Sequence, residues 1–97
     1  MTFITLMKFT DQGIRNVKDS VERAKSFIEA GESKFGVKIK GIYWTLGEYD
    51  LVSITDAPDE ETATALALSL GALGSVRTLG MRAFNAEEMS GILAKIS

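Results

Sequence analysis

Tyr43, Trp44, Tyr49 and Asp50 place two phenols, an indole and a carboxylate in one short stretch, and Arg77 and Arg82 add two guanidinium groups further along. A carboxylate or phenol can move a proton, arginine can hold an anionic substrate, and aromatics can line a pocket. These residues are also ordinary hairpin material. Asp50 can accept backbone hydrogen bonds, and aromatic pairs across strands contribute about 0.2–1 kcal/mol each. With no histidine and no cysteine, the chain lacks the commonest general base and metal ligand, and it lacks thiolate chemistry. Catalysis would fall to Tyr49 and Asp50 as acid and base, with Arg77 orienting the substrate. No cofactor or metal is expected. The run Thr10-Asp11-Gln12-Gly13 has a solitary glycine and no P-loop lysine, so it fits helix capping better than a phosphate cradle. The acids Asp56, Asp59, Glu60 and Glu61 suit a helix N-terminus without a cation.

The 97 residues are 45% hydrophobic and 25% charged, which predicts one globular domain over 1–97. Eleven basic and 13 acidic side chains give a net charge of -2, with no electrostatic reason to bind nucleic acid or an anionic membrane. The apolar N-terminal run is followed, not preceded, by Lys8, and no run approaches the roughly 20 residues of a membrane span. A cytoplasmic protein is the expectation.

Residues 2–9 are rich in large and β-branched side chains, a strand signature. From Ile14, apolar residues recur at three and four positions through Val17, Val21, Ala24, Phe27, Ile28 and Phe35, predicting one long helix ending near Gly36. A hairpin over 37–46 and 49–55 follows, with Gly47 and Glu48 as a two-residue turn and Gly47 at positive φ. Pro58 and its acidic neighbours open a second helix, Gly71 and Gly74 close it, and 75–84 form the last strand. Asn85 and Glu88 make a capping box for a third helix, whose stripe of Met89, Ile92, Leu93 and Ile96 must dock somewhere. The order β-α-β-β-α-β plus a terminal helix predicts an α+β, ferredoxin-like sandwich, with two helices on one face of a four-stranded antiparallel sheet.

Alternation along the strands gives two apolar faces. Helices are expected over Ile4, Leu6, Ile42, Val52 and Ile54, leaving Phe3, Met7, Phe9, Tyr43, Tyr49 and Leu51 on the other side. That second face is too apolar for water, which predicts a homodimer or larger homo-oligomer through sheet faces.

The run from Thr10 to Arg15, the hairpin from Tyr43 to Asp50 and the helix start Ala57-Pro58-Asp59 together resemble the GYD domain family. Its signature glycine, tyrosine and aspartate are Gly47, Tyr49 and Asp50, with Glu48 between the first two. The resemblance implies the dimeric α/β-barrel type of ferredoxin-like fold and carries no agreed catalytic residues. A homo-oligomeric module that binds or senses a small molecule is the leading expectation, with Tyr43, Trp44, Tyr49, Asp50, Arg77 and Arg82 as candidate ligand contacts. The sensing domains of feast/famine regulators are similar in fold and in a Gly-x-Tyr-Asp turn, although no DNA-binding helix pair precedes this sandwich. A cofactor-poor enzyme, similar to small monooxygenases and isomerases of the dimeric barrel kind, is the alternative. An RNA-recognition domain is disfavoured, because 49–55 lacks the basic, aromatic third strand such domains use.

Overall fold

The structure is a computed structural model that describes residues 1–96. It is an α+β arrangement of strands β1 (Thr2–Phe9), β2 (Lys38–Trp44), β3 (Leu51–Asp56) and β4 (Val76–Ala83) with helices α1 (Asp11–Arg15), α2 (Ser20–Phe35), α3 (Glu60–Ala72) and α4 (Ala86–Leu93). The four strands form one sheet in the order β2-β3-β1-β4, and every neighbouring pair is antiparallel. Helix α2 lies over β2 and α3 over β4.

Helix ends follow their capping chemistry. Thr10 accepts from the Gly13 amide, Gly36 closes α2 at φ 63°, and Asn85 and Glu88 complete the capping box of α4. The carboxylate of Asp59 accepts from the Thr62 amide at 2.7 Å, and that bond holds its pKa below the ordinary 3.8. A depressed folded pKa means stability that is present above 3.8 and lost as pH falls through the lower folded value. Thermal melts through that acid range should show this loss in the parent and less of it in Asp59→Asn, which keeps an uncharged cap. Identical acid dependence in the two proteins would remove Asp59 from the account.

Three expectations are corrected. The first helix is not continuous, because it breaks at Asn16, with a 3-10 turn at Val17–Asp19 between α1 and α2. The Asn16 side-chain amide donates to the Gln12 carbonyl and Arg23 donates to the Asn16 carbonyl at 2.7 Å, so side chains share these carbonyls with the backbone amides of Asn16 and Asp19. Around this break, Ile14, Val17 and Val21 are exposed while Ala24 is buried.

The hairpin turn is wider than two residues. Trp44 pairs with Leu51 at the end of the ladder, leaving 45–50 as a loop in which Gly47 does take positive φ, at 125°.

The sheet faces are also exchanged. Met7, Leu51 and Val76 form one buried cluster with Phe9, Ile42 and Leu70 against it. Val37, Ala57 and Leu66 form a second with Phe3, Phe27 and Ile39. Phe3, Met7, Phe9 and Leu51 therefore lie under the helices, and alternation puts Ile4, Leu6, Val52 and Ile54 on the open face. Ile42 lies under the helices as expected, and a bulge between Ile39 and Gly41 keeps both Ile39 and Ile42 inward. Tyr43, Leu79 and Met81 are exposed on the open face. The α4 stripe is exposed too, at Met89, Leu93 and Ile96.

Candidate functional site

The six residues singled out by their chemistry do not converge on one pocket. Asp50 is a junction between the loop and β1. Its carboxylate accepts from the Phe9 amide at 2.7 Å, its own amide donates to the Met7 carbonyl at 2.9 Å, and its carbonyl accepts from the Thr45 amide at 2.8 Å. Asp50 thus extends the β1–β3 pairing past the last ladder residue, with a charge-assisted bond at the end. Tyr49 lies beside it, its ring 5.2 Å from the Lys8 ammonium, while the Thr45 hydroxyl donates to its carbonyl. Arg77 stands opposite Lys8 in the β1–β4 register.

At the other end of β4, Arg82 donates to the Thr2 carbonyl at 3.2 Å. It stacks over Phe84 at 4.4 Å and reaches Glu88 at 3.9 Å, tying β4 to the start of α4. Tyr43 is on the open sheet face. Trp44 turns toward α2, where its indole N–H donates to Ser20 Oγ at 3.1 Å.

Gly47, Tyr49 and Asp50 are held in one loop whose aspartate carries three backbone bonds to its neighbours. A profile of the GYD domain matches residues 3–93. The chain belongs to the GYD domain family. A Thermus thermophilus protein named glutamine synthetase and cystathionine beta-lyase binding protein is 37% identical over 82 residues, covering 84% of this chain and 86% of that relative.

A cavity of this GYD domain lies elsewhere, between α2 and α3 above the sheet. It measures about 660 Å³, within the range of small-molecule sites and far above the water-sized voids of a close-packed interior. Met7, Phe9, Leu51 and Val76 floor it, and Leu66 and Leu70 of α3 form one wall. The facing wall of α2 carries Ser20, Ala24 and Ala30, with Phe27 as a large apolar side chain among them. Small residues on a core-facing helix stripe leave space that leucines would fill. Neither Tyr43, Trp44, Tyr49, Asp50, Arg77 nor Arg82 lines this cavity. Trp44 touches its lining through the hydrogen bond to Ser20, which is buried.

The sequence signal for this space was the set of small and hydroxylated residues at core-facing positions of α2: Ser20, Ala24 and Ala30. Ser53 and Thr55 alternate with Val52 and Ile54 and so imitate a solvent face, which is why the strand faces read in reverse. Among the described residues, no cluster of three His, Cys, Asp or Glu could hold a metal. No helix among them is long and apolar enough to cross a membrane.

Proposed function

We propose that this GYD domain is a homo-oligomeric small-molecule binding module, of the ferredoxin-like, dimeric α/β-barrel type, that acts through contact with other proteins. The cavity between α2 and α3 carries the proposal, since about 660 Å³ of mostly apolar space, with Asp19, Glu22, Arg23 and Lys34 also among its lining, is large for a packing defect in a chain this short. Self-association is supported by the open sheet face, where Tyr43, Leu79 and Met81 are exposed beside the apolar Leu6 and Ile54. A surface of that kind is expected to be covered. Action through protein contact is supported by the relative named for binding glutamine synthetase and cystathionine beta-lyase, and enzymes of that kind are the partners to test. Tyr49 and Asp50 hold the loop beside β1, outside the cavity, so acid–base chemistry there gains no support from the geometry.

Native mass spectrometry of the gently purified protein tests self-association and small-molecule binding. The expected spectrum is an even-numbered oligomer with a defined small-molecule adduct, and Leu79→Glu should reduce it to monomer at micromolar concentration. A parent that is monomeric at that concentration would overturn the self-association proposal. An oligomer that neither retains nor takes up any compound from an apolar metabolite panel would overturn the binding proposal.

A further inference from the structure

Beneath α3 lies a second, smaller cavity of about 320 Å³, which shares Met7, Phe27, Leu66 and Leu70 with the larger one as common lining. Its floor differs in chemistry. Thr5 of β1, Ser53 and Thr55 of β3 and Thr78 of β4 present four hydroxyls to it, beside Gly80. Thr5 pairs directly with Ser53 across the β1–β3 ladder and with Gly80 across the β1–β4 ladder, so the hydroxyls sit as a patch at the centre of the sheet.

Ser53 and Thr55 are 1% and 6% exposed. Both line the chamber, where a hydroxyl can donate to or accept from whatever fills the space. No ionisable side chain lines this chamber, so an ion placed there would lose its hydration without a countercharge.

We propose that the inner chamber is a head-group subsite: it receives the uncharged polar end of a ligand, a carbonyl, amide or hydroxyl, while the apolar body occupies the larger cavity. This inference rests on the small-molecule binding proposed above and specifies its ligand class. Hydroxyls both donate and accept, so they suit an amide or alcohol. The bare floor at Gly80 leaves room for the head, since a Cβ there would meet Thr5 Oγ1 only at an ordinary 3.8 Å.

Isothermal titration of the full chain with octanamide, octanoate and octyltrimethylammonium separates the possibilities, because the three share a tail and differ in head charge. Octanamide should bind at least tenfold more tightly than either ion. Ser53→Ala combined with Thr5→Val should weaken octanamide roughly tenfold, as expected for the loss of two neutral hydrogen bonds, and leave the ions unchanged. Gly80→Val, which fills the floor, should also weaken the amide selectively, and circular dichroism would verify the fold of each variant. Equal binding of all three probes, or an amide preference that survives Ser53→Ala/Thr5→Val, would mean that the chamber holds water and no head group, with the larger cavity still a site. If none of the three binds saturably, the small-molecule proposal itself falls.

Discussion

Gly13→Ala is expected to cost this GYD domain more than about 3 kcal/mol of stability, at or beyond the upper end of ordinary overpacking. A Cβ at position 13 would lie 1.9 Å from the Ser75 carbonyl oxygen and 2.9 Å from its carbon. Both obstacles are backbone, so no rotamer change relieves them. The Thr10 amide donates to that same Ser75 carbonyl at 3.0 Å, and the Thr10 hydroxyl donates to the Gly74 carbonyl. The clash therefore strikes where the start of α1 is tied to the start of β4. Thermal unfolding by circular dichroism should show a midpoint lowered by more than about 10 °C for a domain of this size. Gly71→Ala serves as the control, because nothing lies within 4 Å of a Cβ there and alanine favours the helix. A Gly13→Ala midpoint matching the parent would show that the two segments do not approach so closely.

Asp50→Ala should destabilise by about 1.5–3 kcal/mol, the worth of a hydrogen bond to a charged group. The half-buried Phe9 amide would lose its 2.7 Å carboxylate partner, and the loop at 45–50 would lose its side-chain tie to β1. Asp50→Asn should cost less, since the amide oxygen can still accept. Urea titrations of the two variants measure the difference. The ordering also separates the two roles that Asp50 could have. A structural acceptor gives graded stability losses, alanine worse than asparagine. A proton-transfer group would leave both variants as stable as the parent and lose its effect in a reaction. Equal stability of parent, Asn and Ala would remove the loop junction as the reason for this aspartate.

Local signals in the chain were enough for the element order. Capping at Thr10, Asp59 and Asn85, the left-handed stop at Gly36 and positive φ at Gly47 all depend on residues within a few positions of one another. Such features are written in side-chain and backbone preferences that need no tertiary partner. The errors had two origins. The apolar periodicity from Ile14 carries no sign of the break at Asn16, where the side-chain bond to the Gln12 carbonyl and the reach of Arg23 mark the division of that helix. The hairpin pattern fitted a tight turn, but the loop is set by the bonds from Asp50 to Met7 and Phe9, residues far away in the chain.

The sequence by itself determined that strands alternate between two apolar sets, Phe3, Met7 and Leu51 against Ile4, Leu6 and Val52, because side chains on a strand point alternately up and down. It also determined the family, through a motif that stands in contiguous residues. Only the tertiary structure decided which set lies under the helices. In the order β2-β3-β1-β4, both helical crossovers join strands that run parallel with one strand between them, and the right-handed sense of such connections places both helices on one particular face. That choice put Ser53 and Thr55 inward with Met7 and Leu51. The cavity between α2 and α3 and the hydroxyl floor beside it follow from this geometry, since they are made of residues from several elements whose meeting no local pattern records.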